Sequence, residues 1–314
     1  MERAYVDWVR IENFRCIKSV DLHLSPLHAL IGPNDSGKSS LLHAMARGGR
    51  TKYWVSNGLG IAPHVGRLSD HPKRPQARQT PEAFQEVDRA TSPIRLMRLD
   101  PDELREGRPL IPRGNSLWFE SERGRGLASL YDALLNRDRD AFTQIDVRFR
   151  TLFPTVRTLR LENASANTKS MGLTLLDGTD VGPQEMSEGM LYWLAFAVIE
   201  HIAPGGILMI EEPENGLHPA RIKEVMRVLR EVSTRTQVII ATHSPLVVNE
   251  MAANEVSLVT RSKEAGTQAI LMSETKNFAE RSKTYDLGEL WLAYADGDHE
   301  KELVASSDPT TKAG

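Results

Sequence analysis

Gly32-Pro33-Asn34-Asp35-Ser36-Gly37-Lys38-Ser39 satisfies the pattern G-x-x-x-x-G-K-[ST]. Residues of these types at this spacing hold phosphate. The glycines let the backbone wrap an anion, so that N–H groups and a helix N-terminus point at the negative charge. Lys38 would reach the β- and γ-phosphates of a nucleotide, and Ser39 would hold Mg²⁺. Gly32, Asn34, Ser36, Gly37, Lys38, Ser39 and Ser40 are therefore the candidate nucleotide-binding residues. The mechanism needs a strand before the loop and a helix after it. Leu27-His28-Ala29-Leu30-Ile31 reads as a short apolar strand, and Ser40 to Ala46 reads as a helix.

Three further stretches could complete a phosphate-transfer site. Ile207-Leu208-Met209-Ile210 is a buried-strand pattern ending in Glu211-Glu212. Two carboxylates at a strand's C-terminal end lie where open α/β sheets bind ligands. Glu211 would anchor the Mg²⁺ shell through water, and Glu212 would orient and deprotonate the attacking water. The plain alternative is a solvated strand end. Ala241-Thr242-His243-Ser244-Pro245 follows a second buried strand, and His243 could hydrogen-bond a γ-phosphate. A helix-capping His-Ser pair is its alternative. Met186-Ser187-Glu188-Gly189 opens a helix whose N–H groups could take an anion. On its own, Ser187 reads better as an ordinary N-cap.

Bulk properties narrow the class. The 314 residues suffice for one or two domains, and 40% hydrophobic with 26% charged residues are those of a globular chain. A lone cysteine, Cys16, excludes a disulfide framework, fits a reducing cytoplasm and reads as a small buried hydrophobe. The polar N-terminus is unlike a signal peptide, and no apolar run approaches the ~20 residues of a membrane span. A net charge of −3 gives no global basic field, so nucleic acid would need a local patch. Arg47, Arg50, Lys52, Lys73, Arg74 and Arg78 supply one candidate for DNA contacts. An ordinary solvated surface explains them equally well.

Elements are legible at both ends of the chain and faint between. Tyr5 to Ile11 and Ile17 to Leu24 read as a hairpin. From Ser187 onward, apolar strands alternate with helices, the mark of a parallel sheet covered on both faces. Between Arg50 and Gly182, short elements emerge: a strand from Ile94, helices from Gly126 and from Arg139, and strands from Val156 and from Leu173. No heptads are sustained there, which excludes a long coiled-coil arm.

The motif set resembles ABC-type ATPases of the SMC/RecF branch, close to stand-alone AAA proteins like the overcoming-lysogenization-defect (OLD) ATPase domains. Four runs carry the likeness: Val9-Arg10-Ile11-Glu12-Asn13-Phe14-Arg15-Cys16-Ile17, the phosphate loop, Glu211-Glu212-Pro213-Glu214-Asn215-Gly216-Leu217-His218-Pro219, and Thr242-His243-Ser244-Pro245. The resemblance implies an α/β P-loop NTPase fold, an ABC-type nucleotide-binding domain with a mixed sheet and an inserted, mostly helical lobe. Residues 1–49 and 183–305 would form a discontinuous core, 50–182 the insertion on the signature side, and 306–314 a frayed tail. It also implies that ATP and Mg²⁺ bind and that two subunits dimerise head-to-tail on ATP. Ser187, Glu188 and Gly189 would then act in trans as a signature loop, with Asn215, Gly216 and His218 in the loop crossing the interface. DNA, in repair or phage defence, and a separately encoded nuclease of the Toprim type are the partners it suggests. The Toprim domain that many OLD relatives carry at the C-terminus is not encoded here. Departures are Glu-Glu for the usual Asp-Glu, and Ser-Glu-Gly for Ser-Gly-Gly. None of Gln76, Gln79 and Gln85 can be assigned as the Q-loop glutamine. Leu290, Trp291 and Leu292 read as a core helix or as a docking segment.

Overall fold

Parallel strands buried on both faces are mostly apolar, and so are the three predicted around the phosphate loop, with His28 and Gln237 as exceptions. The structure, a computed structural model, describes residues 5–47, 50–55, 93–203 and 205–295. In chain order its strands are β1 (Val6–Phe14), β2 (Ile17–His23), β3 (Leu27–Ile31), β4 (Arg50–Val55), β5 (Ile94–Met97), β6 (Arg108–Pro109), β7 (Val156–Asn163), β8 (Thr168–Leu175), β9 (Asp180–Val181), β10 (Ile207–Glu211), β11 (Gln237–Thr242), β12 (Val256–Ser262) and β13 (Gly266–Leu271). Every residue of β3, β10 and β11 is buried.

The chain divides into two compact units, 1–96 with 205–214 and 233–314, and 97–204 with 215–232. In the first, the central sheet runs β13-β12-β3-β11-β10-β5. β10, β11, β3 and β12 are mutually parallel, and β13 pairs antiparallel with β12, so the sheet is mixed. Register sets the site. Glu211 stands opposite Ala241, and Ile31 stands opposite both Thr242 and Leu258. The loops after β3, β10 and β11 therefore leave one edge of the sheet together. A smaller antiparallel sheet, β2-β1-β4, belongs to the same unit. Buried Gln237 ties the two sheets: its Oε1 accepts from Val6 N at 3.0 Å, and its Nε2 donates to Val6 O at 2.8 Å and to Ser25 O at 3.1 Å. The helix Leu287–Ala295 buries Leu290 and Trp291, while Leu292 stays exposed, in line with the core-helix reading.

In the second unit, helices Leu127–Arg137, Arg139–Leu152, Glu188–Ile202 and Pro219–Ser233 accompany the β6-β8-β7 sheet, with β9 on β8. Helix Glu188–Ile202 is apolar on all sides because it is buried on all sides. Trp193 is fully buried, its ring 5.7 Å from that of Phe149, and the backbone oxygen of Leu194 accepts from Tyr131 Oη at 2.9 Å. These units differ from the division expected from sequence. β4 joins β1 rather than the insertion, and helices Glu188–Ile202 and Pro219–Ser233 join the second unit. The reason is long-range pairing: β4 is specified by Thr51 meeting Ile11 and Tyr53 meeting Val9, not by a pattern of its own.

His28 on β3 gives this core a pH dependence. Complete burial, helped by the charge of His23, pushes its pKa down to about 3. Its Nδ1 lies 3.1 Å from Ser25 Oγ and its Nε2 3.0 Å from Ser257 Oγ, which satisfies the neutral ring. A folded-state pKa below the unfolded value means that the unfolded chain binds the extra proton. Stability is thus full above the unfolded pKa and falls as pH drops through the window between the two values. The slope from this group is about 1.4 kcal/mol per pH unit. In urea titrations between pH 7 and 4.5, His28→Asn is expected to start less stable and to lose stability about one proton less steeply than the wild type. Parallel slopes would mean that His28 is charged in the fold.

Candidate functional site

The phosphate loop joins β3 to helix Lys38–Arg47 and is braced from behind by the β12–β13 hairpin. Thr267 Oγ1 donates to Ser36 O at 2.9 Å, and Arg261 Nη1 donates to Asp35 O at 3.4 Å. Two glycines are obligatory. A Cβ at Gly32 would fall 2.2 Å from Val259 O, and one at Gly37 (φ +105°) would fall 2.3 Å from Thr267 Oγ1. Such contacts with backbone and a braced side chain leave no room for any other residue. Ser36 Oγ is buried with no hydrogen-bond partner among the described residues. A bound anion would supply one.

Lys38 Nζ donates to Gly32 O at 2.7 Å and Pro33 O at 2.9 Å, folded onto its own loop. Burial pushes its pKa down, and the carboxylates of Glu212, Glu214, Asp35 and Glu211 pull it back without cancelling the effect. The amine is thus poorly hydrated and faces net negative charge, a setting that a phosphate completes.

A cavity of about 200 Å³ opens against this loop. Of the predicted residues, Asn34, Gly37, Lys38, Ser39, Ser40, Glu211 and Glu212 line it, and Gly32 and Ser36 do not. Glu211 ends β10 buried, 3.6 Å from His43 Nε2. Glu212 follows in a left-handed conformation (φ 51°), held there as its N donates to Ala241 O at 2.8 Å. A non-glycine residue at positive φ costs roughly 1 kcal/mol and tends to persist where its direction matters. His243 does not line this cavity. It stands half-exposed beside Glu214, with Nδ1 3.6 Å from Glu214 Oε1.

Magnesium fits this donor set. Among the described residues no three His, Cys, Asp or Glu side chains gather to hold a metal alone. Mg²⁺ needs no such cage, because it takes one or two protein ligands and completes its shell with phosphates and water. Ser39 and Glu211, both on the cavity wall, are the residues that would hold it.

Cys16 and Arg261 also line the cavity, and the sequence reading missed both in that role. Cys16 is partly buried and packs against the apolar core, with the cavity on its other side. Its Sγ lies 3.3 Å from Thr267 Oγ1, whose proton goes to Ser36 O. Burial raises its thiol pKa, but hydrogen bonds with Ser40 and Thr267 and the charge of Arg261 outweigh that, so the net direction is down.

The other predicted site residues lie in the second unit and cluster there. Ser187 N-caps helix Glu188–Ile202, accepting from Met190 N at 3.4 Å. Asn215-Gly216 packs on the helix's first turn. A Cβ at Gly216 (φ +67°) would sit 2.4 Å from Tyr192 Cε2, and one at Gly189 would sit 3.1 Å from Gly216 O. His218 Nδ1 accepts from Ala220 N at 3.2 Å at the start of helix Pro219–Ser233. The signature turn and the Asn215–His218 loop are thus one surface. Of the basic cluster, Arg47 is exposed on its helix. Lys73, Arg74 and Arg78, with the side chains of Arg50 and Lys52, lie outside the described residues, as do Gln76, Gln79 and Gln85.

Comparison with known proteins agrees with this geometry. Residues 66–249, more than half the chain, match the family described as "AAA domain, putative AbiEii toxin, Type IV TA system". The chain belongs to this AAA family. Residues 5–48, which carry the phosphate loop, match the family described as "AAA ATPase domain". Both matches are to AAA domains, and together they take in the phosphate loop, Glu211-Glu212 and His243. An OLD nuclease of Thermus scotoductus (strain ATCC 700910 / SA-01) is 46% identical over 37 residues, 12% of this chain and 7% of that protein. The matched segment is thus a small fraction of that curated relative. An Smc head solved bound to the C-winged helix domain of ScpA superposes with a TM-score of 0.56 at 15% identity, covering 85% of this chain and 97% of that one. An Smc head with an extended coiled coil, bound to the C-terminal domain of ScpA derived from Pyrococcus furiosus, gives 0.51 at 13% identity over 85% and 96%. The fold is that of an ABC-type P-loop NTPase, as the motifs implied.

Proposed function

We propose that this AAA ATPase binds Mg-ATP in the cavity beside Lys38, dimerises head-to-tail on it, and couples hydrolysis to action on DNA in repair or phage defence. The observation that carries the reading is one cavity holding the phosphate-loop lysine and serine together with the two strand-end carboxylates. Lys38 and the loop N–H groups neutralise the phosphates, and Glu212 takes the proton from the attacking water. Mg²⁺, held by Ser39 and Glu211, would supply neutralisation of the phosphate charge. Ser187 and Gly189 of one subunit meet the nucleotide of the other, with Asn215, Gly216 and His218 forming the rim. The continuous surface these residues make supports that assignment. Among the described residues no helix is long and apolar enough to cross a membrane, and we place the protein in the cytoplasm.

The dimer is tested with Ser187→Arg, which places a bulky cation where the γ-phosphate of the other subunit is expected. Turnover should fall by at least ~100-fold while ATP binding by the monomer stays within about threefold. Equal loss of both would make Ser187 a structural cap only.

A second reading is a switch module whose ATP-driven dimerisation gates a separate effector, such as a Toprim-type nuclease, without touching DNA. The net charge of −3 favours it. Steady-state Mg-ATP hydrolysis at low salt, with and without linear double-stranded DNA, separates the two. Stimulation by DNA that weakens when Lys73 and Arg74 are neutralised supports direct engagement, and turnover indifferent to DNA selects the switch.

A further inference from the structure

Glu214 lies two residues beyond Glu212, where the chain leaves β10, and its side chain is only 8% exposed. Its Oε1 accepts from Thr242 Oγ1 at 2.6 Å and from His243 N at 3.3 Å. Thr242 Oγ1 itself accepts from Ser244 N at 2.9 Å, so its single hydroxyl proton is committed to Glu214. The same Oε1 lies 3.6 Å from His243 Nδ1. The second oxygen, Oε2, is buried and has no hydrogen-bond partner among the described residues. A polar but uncharged residue could hold the Thr242 turn, so a buried, half-satisfied carboxylate needs another reason. Its charge, like those of Glu212, Asp35 and Glu211, is felt at Lys38 of the phosphate loop. It therefore sits between the phosphate loop and the histidine after β11.

We propose that Glu214 is the positioning residue for His243, a role that rests on the nucleotide reading of the cavity. Its carboxylate pins the His243 backbone by accepting from the N–H, and it accepts from a protonated Nδ1 of the ring. That leaves Nε2 as the nitrogen with which the half-exposed ring could meet a nucleotide. At 3.6 Å the ring contact is longer than a hydrogen bond, and a small turn of the half-exposed ring closes it. Contacts of this kind commonly tighten when substrate binds. The nitrogen that carries the proton is set by the partner of the other nitrogen, and Glu214 is the acceptor in reach of Nδ1.

Glu214→Gln keeps the shape and an acceptor oxygen for Thr242 while removing the charge. Its kcat for ATP should fall about 10- to 100-fold, with KM within about threefold of the wild type. In a His243→Ala background the same substitution should cost less than about twofold, because its target is gone. Losses that multiply in the double variant would make Glu214 a structural brace and overturn the proposal. A second readout needs no turnover. In ¹⁵N spectra of histidine-labelled protein, with His243 assigned by its absence from His243→Ala, the wild type should carry the proton on Nδ1. Glu214→Ala should move it to Nε2. An unchanged tautomer overturns the proposal. If the tautomer moves but the wild type hydrolyses no ATP, the pairing stands and the nucleotide reading falls.

Discussion

Lys38→Ala is expected to lose at least ~100-fold in ATP affinity while melting within a few degrees of the wild type. Lys38 Nζ is held by two carbonyls of its own loop, so its removal frees two acceptors at a site edge that water can reach. Little of the fold depends on it. The nucleotide loses more. A charge-assisted hydrogen bond to phosphate contributes about 1.5–3 kcal/mol. Asp35, Glu211, Glu212 and Glu214, whose charges Lys38 now faces, would then meet the phosphates directly. Repulsion adds to the lost bond. Titration with a fluorescent ATP analogue reads the affinity, and a thermal melt reads the fold. Retained tight binding would put the nucleotide somewhere other than this loop.

The parts of the site that the sequence shows are those that lie close together along the chain. A phosphate loop is eight consecutive residues, and its strand and helix flank it, so local pattern suffices. The same holds for Glu211-Glu212 at the end of an apolar run and for Thr242-His243 after another. What braces these pieces was not legible. Thr267 reaches Ser36 across 231 positions, and nothing local to Thr267 marks it as the support of a phosphate loop. Arg261 and Glu214 acquire their roles in the same way, by register between strands distant in sequence. Cys16 packs on the core as a small hydrophobe does, but its place on the cavity wall, where the missing side chain of Gly37 leaves it room, has no local sign. The pairing of β4 with β1 has no pattern of its own to announce it. β8 was anticipated only from Leu173 onward, and the strand begins five residues earlier, at Thr168.

Glu212→Gln should separate binding from chemistry. The carboxylate lines the cavity from a residue in left-handed backbone, and a hydrogen bond to Ala241 O fixes that backbone. Glutamine keeps the size and direction of the side chain but cannot take a proton. Removing a general base costs about 10²–10⁴-fold in rate. Affinity for ATP should hold or rise, because one negative charge leaves the neighbourhood of the phosphates. If the chain dimerises on ATP, the variant should accumulate the ATP-bound dimer, read as a doubling of mass by light scattering after gel filtration with Mg-ATP. Glu212→Gly is the matched control. Glycine adopts φ 51° without strain, so this variant loses the carboxylate without disturbing the turn. Both variants should be slow, and the glycine variant should melt no lower than the wild type. Turnover at the wild-type rate in either would move the base away from Glu212, with His243 the first residue to test in its place.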